Sequence, residues 1–311
     1  MKRLCIYFFY DKDGIIDEYI FYFLNKIKHF CENICFVSNS NIKNNYYEKI
    51  KYICDNVLIR ENYGLDAWAY KYAIEYYGYE ELKKYDEVIC CNFTFFGPFY
   101  PFEELFNTMD QRSCDWWGMH KWWTPSKINY NHIPSFFIAY RKSLIKSEHF
   151  KNYWTTLRSI KTYNDSVEFH EQRQTPYYDS KGFISSVYLD NGNYIKYEPF
   201  LWPLKLAHRP IIEQRYPFIK RRCFYVKKNE MYFFDSVKQV IPYLKKNSLY
   251  NINFIYDNIV RTQTIKDKHI IYRIKYKFLS IVHPIKKQRE RYKIKYKASI
   301  FEREFKELFT S

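Results

Sequence analysis

Residues 85–100 read Tyr-Asp-Glu-Val-Ile-Cys-Cys-Asn-Phe-Thr-Phe-Phe-Gly-Pro-Phe-Tyr. Val88, Ile89, Cys90 and Cys91 form a short apolar run, Asn92-Phe93-Thr94 closes it, and Gly97-Pro98 breaks the chain just beyond. A run of that length bounded by turn residues predicts a buried strand that opens into a loop. In open α/β sheets, ligands bind beyond the carboxyl ends of such strands, so Asn92 and Thr94 are placed to face one. The same two residues equally suit an Asx- or Thr-type turn that merely caps the strand.

Upstream, the pattern alternates. Leu4–Tyr10 is apolar for seven residues before Asp11, Lys12 and Asp13, which predicts a first strand rather than a signal peptide. Ile16, Ile20, Phe23, Leu24 and Ile27 have helical spacing within 15–30. Ile34–Val37 reads as a second strand ended by Ser38-Asn39-Ser40, 46–53 as a short helix, Asn56–Ile59 as a third strand, and 66–77 as a helix. The order β-α-β-α-β-α-β predicts a parallel, Rossmann-type sheet with right-handed crossovers. Downstream, the spacing predicts a helix over 103–109, a strand and turn at 114–118 and a strand over 135–140. It also predicts helices over 143–157 and around 166–172, and a late strand at 194–198. From Ser236 the chain reads helical to its end, broken at Pro242 and Pro284, although the basic/aromatic alternation of 291–297 also fits a strand.

With 311 residues, the chain suits one large or two modest domains, and its 47% hydrophobic content excludes a disordered protein. No apolar run approaches the ~18–20 residues needed to cross a bilayer. The eight cysteines include no CxxC pair, the pattern of reduced, mostly buried thiols in a cytoplasmic protein, with zinc disfavoured. Gly64, Gly97 and Gly118 each follow a predicted strand, which suggests positive φ or close ligand approach. Neither GxGxxG nor GxxxxGK[ST] occurs, which disfavours dinucleotide and P-loop chemistry. The net charge of +16 is uneven: residues 261–311 hold 15 Lys/Arg against 5 Asp/Glu, leaving +10 there and +6 in the first 260 residues. A basic tail on a nearly balanced body suggests a polyanionic neighbour for the tail alone.

Six ordered blocks carry a resemblance: ENYGLDAWAYKYAI (61–74), YDEVICCNFTFFGPFYPFEELF (85–106), CDWWG (114–118), HIPSFFIAYRKSLIKSEHFKNYW (132–154), HEQRQTPYYDSKGF (170–183) and YPFIKRRCF (216–224). Together they resemble the rhamnan synthesis F family, glycosyltransferases of cell-surface polysaccharide biosynthesis, over roughly residues 1–260. The resemblance implies a GT-A-like α/β fold, a mixed Rossmann-type sheet flanked by helices. With the helical reading from Ser236 and the basic tail, the chain divides into a transferase domain over 1–235 and a basic, mainly helical C-terminal region over 236–311. The resemblance also implies a nucleotide-sugar donor such as dTDP-rhamnose and a growing, lipid-linked glycan as acceptor. GT-A enzymes commonly hold Mg²⁺ or Mn²⁺ on an Asp-x-Asp after a central strand; here that place reads Asn92-Phe93-Thr94, which puts metal dependence in doubt. The literal Asp-x-Asp is Asp11-Lys12-Asp13, with Asp11 the donor-side candidate and Asp13 a solvated turn.

On this reading Asn62, Gly64 and Asp66 open a helix whose N-terminus can take the donor, unless Asp66 is only a helix cap. Asn39 is a further nucleotide-side candidate. Transfer needs a base for the acceptor hydroxyl and a stabilised diphosphate. Glu171 matches the acidic position of the late motif and Asp115 is its competitor as base. Arg209, Lys220, Arg221 and Arg222 are candidates for the diphosphate. His132, Ser135 and Trp117 are expected on the acceptor side. The basic tail, interleaved with Ile270, Ile271, Tyr272, Phe278, Leu279, Ile281, Val282 and Ile285, predicts peripheral contact with the anionic inner face of the cell membrane, or else a helical subdomain packed on the body. Two other classes stay open: an inactive scaffold of a polysaccharide assembly, and a nucleic-acid-binding protein, although no RNA-binding motif supports the second.

Overall fold

The predicted alternation appears along the first 92 residues of the computed structural model, which describes residues 1–124, 130–189, 191–197, 202–225, 234–263, 277–281 and 284–310. The strands are β1 (Arg3–Phe9), β2 (Asn33–Ser38), β3 (Asn56–Ile59), β4 (Glu87–Asn92), β5 (Phe95–Phe96), β6 (Trp116–Gly118), β7 (Trp122–Thr124), β8 (Tyr130–His132), β9 (Phe137–Arg141), β10 (Ser185–Val187) and β11 (Ile219–Lys220). Helices α1 (Glu18–Ile27), α2 (Asn44–Ile53) and α3 (Leu65–Tyr77) connect the first four.

Seven strands form one sheet in the order β10-β6-β9-β4-β1-β2-β3. β1, β2, β3 and β4 run parallel, and β9 lies antiparallel between β4 and β6. Strand β1 is apolar from Leu4 to Phe9 because both of its faces are covered there. Cys5, Tyr7 and Phe9 point into one core layer with α1 and α2, whereas Leu4, Ile6 and Phe8 point into the other with α3. All eight cysteines are free thiols, six of them buried.

The structure departs from the sequence reading in several places. Residues 192–197 form a helix, not a strand; Tyr194 is buried there and its hydroxyl accepts from Gln214 Nε2 at 2.7 Å, a contact no local pattern encodes. The helix expected over 143–157 is two, Lys142–Ile145 and Glu148–Thr155, because the Ser147 side chain caps the second by accepting from the Phe150 N–H. Pro242 does not break its helix, Phe234–Asn247; it sits on the solvent face, where water can take the carbonyl left unpaired four residues earlier. Residues 291–297 lie within the helix Lys286–Thr310, so the strand alternative falls away. Gly64 and Gly97 have positive φ, but Gly118 does not: it is small because a Cβ there would run into the Ile133 side chain. Beyond residue 234, Val237, Val240, Ile241, Leu244, Ile255, Ile259 and Phe305 belong to the same core layer as β1 and α1, so the expected boundary at 235/236 runs through a shared core.

At the amino end of β4, Glu87 is fully buried. Its carboxylate accepts from Arg3 Nε at 2.9 Å and Trp117 Nε1 at 2.7 Å, and Arg141 Nε lies 3.5 Å away. A buried carboxylate is tolerated when its charge is paired and its lone pairs are filled. Glu87→Leu leaves the buried Arg3 guanidinium with Asp110 alone and the buried Trp117 indole N–H without its acceptor, and should cost about 3–5 kcal/mol, read as a lower urea-unfolding midpoint with an unchanged slope.

Candidate active site

The Asp66 carboxylate, in the first turn of α3, gathers residues that are distant in sequence. Its Oδ2 accepts from Asn92 Nδ2 and from Ser135 Oγ, each at 2.9 Å. Its Oδ1 accepts from the Ala67 N–H at 3.0 Å and from Ser166 Oγ at 3.3 Å. Asp66 is not the helix cap; Gly64 holds that position, in left-handed geometry. Asn92 ends β4 and spends its carboxamide oxygen on Thr94, accepting from the Thr94 N–H at 3.1 Å and Oγ1 at 2.7 Å. The Asx-type cap and the link to Asp66 are therefore both present. Glu171 Oε1 accepts from the Ser135 N–H at 2.9 Å and from Ser135 Oγ at 2.7 Å. The single Ser135 proton thus lies between two carboxylates. A π-helical turn, Val167–Glu171, sets the direction of Glu171. Inside that turn, His170 is buried with Nδ1 2.8 Å from the Tyr153 hydroxyl, and burial lowers its pKa.

The antiparallel pair β5–β11 brings Lys220 opposite Phe95, three residues beyond Asn92. Lys220 Nζ stands 3.5 Å from the centroid of the Phe136 ring, in a small cavity lined also by Phe95, His120, Tyr216 and Phe218. Burial lowers its pKa to about 8, against the opposing pull of Glu171 and Asp66. His120 is buried in the same cavity, its Nδ1 2.8 Å from the Tyr216 hydroxyl, and burial pushes its pKa well down. Arg221 is buried and braces the 93–94 turn: its Nη1 donates to the Phe93 carbonyl at 3.4 Å and its N–H to the Thr94 carbonyl at 2.9 Å. Arg222 is exposed, and Arg209 forms an i,i+4 pair with Glu213 at 2.8 Å.

Asn39 and Asn62 meet at the carboxyl ends of β2 and β3. Asn39 Oδ1 accepts from Arg60 Nη1 at 2.8 Å, and Asn39 Nδ2 donates to Asn62 Oδ1 at 3.3 Å. Asp11 accepts from the N–H groups of Asp13 and Ile15 and from Arg261 Nη2 at 2.8 Å. Burial opposes ionisation there, but Arg261 and the two N–H groups hold the carboxyl below its usual range. Asp13 is exposed and paired with Lys12. His132 is buried in β8, across from Trp122, and lies within electrostatic reach of His120.

Two expectations are corrected. Asp115 precedes β6, whose first residue Trp116 pairs with Tyr140, so it lies level with Arg141 at the opposite edge of the sheet from Asn92. There it accepts from Ser143 Oγ and the Ile184 N–H, as a structural group. Trp117 is fully buried and donates to Glu87 rather than facing an acceptor.

The donor set at the Asp-x-Asp position does not fit a resident divalent cation. Both Asn92 Oδ1 lone pairs go to Thr94, and Asp66 accepts from the Ala67 N–H, Asn92 Nδ2 and Ser166 Oγ, while the one Ser135 hydroxyl proton serves Asp66 or Glu171 at any moment. Glu171 Oε1 is filled by Ser135, leaving Oε2 as the carboxylate oxygen with no hydrogen bond among the described residues. Mg²⁺ and Mn²⁺ beside a diphosphate keep waters and phosphate oxygens and take one or two protein carboxylates, and those at the Asp-x-Asp position are absent or engaged here. No group of three or more His, Cys, Asp or Glu residues suited to a metal occurs among the described residues.

Ser166 and His120 escaped the sequence reading. Ser166 lies 100 positions from Asp66, beyond any local spacing. His120 follows the predicted strand by two residues, and that polar end was the signal available.

A sheet whose strand direction changes beside β4, with a carboxylate cluster at the carboxyl edge, belongs here to a glycosyltransferase of cell-surface polysaccharide synthesis. The chain is a member of the rhamnan synthesis protein F family, whose model matches residues 34–309. No curated relative matches the chain in sequence. Among solved structures it is similar to S. aureus TarS 1-349, with a TM-score of 0.40 and 11% identity over 93% of this chain and 77% of that one. It is similar to a putative nucleotide-diphospho-sugar transferase from Desulfovibrio desulfuricans G20, with a TM-score of 0.38 and 10% identity over 80% of this chain and 100% of that one. It is also similar to the mannosyltransferase PcManGT from Pyrobaculum calidifontis, described in complex with GDP-Man and Mn²⁺, with a TM-score of 0.38 and 8% identity over 97% and 85%.

Ser135→Ala removes the one hydroxyl that joins Asp66 to Glu171 and leaves the half-buried pair one donor short, with Glu171 keeping only the residue-135 N–H. It should lower stability by about 1–3 kcal/mol in denaturant unfolding.

Proposed function

We propose that this protein transfers rhamnose or a related sugar from a nucleotide-sugar of the dTDP-rhamnose kind to a growing, lipid-linked glycan, by single displacement with inversion at the anomeric carbon. The observation that carries the reading is Glu171, held by Ser135 through Oε1 while Oε2 has no hydrogen bond among the described residues. An anchored carboxylate with one open oxygen, beside the carboxyl ends of parallel strands, suits a general base. Glu171 takes the acceptor hydroxyl proton, the acceptor oxygen bonds to the anomeric carbon, and the bond to the diphosphate oxygen breaks with its electron pair on the leaving group.

The donor lies along the ends of β1, β2, β3 and β4, where Asp11, Asn39, Asn62 and Thr94 collect. The N-terminus of α3 at Gly64 and Asp66 offers its N–H groups and dipole to the diphosphate. Asp66 and Asn92 act by position, because their acceptor atoms are already engaged. Ser135 and His132 fall to the acceptor side and Lys220 to the leaving group, while Arg221 braces the turn after β4. Glu171→Gln should lower kcat about 10²–10⁴-fold with donor KM little changed, while Asp115→Asn stays within about twofold of wild type, both measured on transfer with a nucleotide-sugar panel. Equal loss in the two variants would remove the assignment of the base.

The reaction is placed at the inner face of the membrane. No helix among the described residues is long and apolar enough to cross a bilayer. Phe278, Ile281 and Ile285 are exposed at helical spacing, beside the basic residues of the tail. Charges over anionic headgroups with apolar residues entering the interface give salt-sensitive binding. Full-length protein should co-sediment with anionic vesicles, and Phe278→Ser/Ile281→Ser/Ile285→Ser should co-sediment less; equal sedimentation would place the contact elsewhere.

A further inference from the structure

Resting on the transferase reading above, we propose that the Lys220 ammonium binds the donor diphosphate and takes the charge that develops on the leaving group, with no divalent cation required. Asp66 and Asn92 have their acceptors engaged by Ala67, Ser166, Thr94, each other and the shared Ser135 proton, so Glu171 Oε2 is the one carboxylate oxygen of the cluster without a hydrogen bond among the described residues, where a divalent ion beside a diphosphate usually takes one or two carboxylates. Lys220 Nζ, by contrast, has no hydrogen-bond acceptor among the described residues; its neighbour is the face of Phe136 at 3.5 Å. A lysine ammonium supplies three donors and accepts none, so one held over a ring keeps its donors for a ligand.

The other nearby cations are committed. Arg221 braces the 93–94 turn, Arg209 pairs with Glu213, and Arg261 bridges Asp11 and Asp17. The β5–β11 pairing ties Lys220 to the segment just past Thr94, on the carboxyl side of the sheet where α3 begins. The titratable groups facing Lys220 are Asp66, Glu171, His120 and Cys223. Burial keeps His120 neutral by lowering its pKa, and pushes the Cys223 thiol up to about 12. Neither changes charge between about pH 7 and about pH 9, whereas Lys220, lowered to about 8, does.

The sign for stability follows. A lysine whose pKa falls on folding destabilises the folded state while it is charged, so replacing it by a neutral side chain of similar length should not lower Tm. A lysine kept only for structure would give the opposite result.

The test uses the full chain, with inorganic pyrophosphate and a panel of dTDP, UDP and GDP, in EDTA and in Mn²⁺, read by calorimetry and thermal shift. Wild type should bind pyrophosphate and at least one nucleotide with Kd values within about twofold in the two conditions, and more weakly as pH rises from about 7 to about 9. Lys220→Met should weaken binding at least about tenfold with Tm unchanged or raised. Lys220→Arg should retain binding, with a flat pH profile. Binding that requires Mn²⁺, or a Lys220→Met protein that binds as wild type does, overturns the inference while leaving the transferase reading intact. No binding of any diphosphate under either condition, with no hydrolysis of any nucleotide-sugar, overturns both.

Discussion

The Asp66 carboxylate, which joins four segments through hydrogen bonds and shares the Ser135 proton with Glu171, is the constraint around which this site is built. Its partners come from the first turn of α3, the end of β4, the turn before β9 and the helix at 163–166. A largely buried carboxylate with unfilled lone pairs would be costly, so these segments are held together as a set. The hub's atoms are largely engaged by the protein itself, and its role is to fix others. Through Ser135 it positions Glu171, and through Asn92 it fixes the turn that continues into β5 and pairs with the strand carrying Lys220. A constellation locked by packing and hydrogen bonds is what transfer chemistry demands of its supporting residues.

The reversal of β9 divides the labour between the two edges of the sheet. Because β9 runs antiparallel to β4, the residues just before it lie beside the carboxyl end of β4, and Ser135 joins the Asp66 cluster. The far end of β9 returns to the amino end of β4, where Arg141 approaches Glu87 along with Arg3 and Trp117. Asp115 falls on that second edge for the same reason. One edge is thus a closed ionic and aromatic cluster. The other keeps a carboxylate oxygen and an ammonium without hydrogen-bond partners among the described residues.

The C-terminal helices are part of this arrangement rather than an appendage. Phe305 is buried and stacks on Tyr256, and Lys238 pairs with Glu304 at 2.7 Å. Arg261, from the helix Asn253–Gln263, reaches Asp17 at 2.6 Å and Asp11 at 2.8 Å. It thereby fixes the loop after β1, at the carboxyl edge of the sheet. Ile270, Ile271, Tyr272 and Val282, named with the tail, lie outside the described residues.

What the sequence determined alone was whatever local periodicity and a short apolar run can carry. The β-α-β-α-β-α-β order, the three-residue closure of β4 and the positive φ at Gly64 were legible because each depends on neighbours a few positions away. The ordered motif blocks also placed Asp66, Asn92, Ser135 and Glu171 among the candidates. Tertiary structure decided which candidates share a site, because that depends on strand direction and on pairings across as many as 250 residues. A strand reads the same in either direction, so nothing local told Ser135 from Asp115 or sent Trp117 into the core. Nor does a run such as Lys220-Arg221-Arg222 reveal that its first member stands over an aromatic ring while the second braces a turn and the third faces solvent. Those outcomes follow from which groups the fold leaves with partners, and that is settled only when distant segments meet.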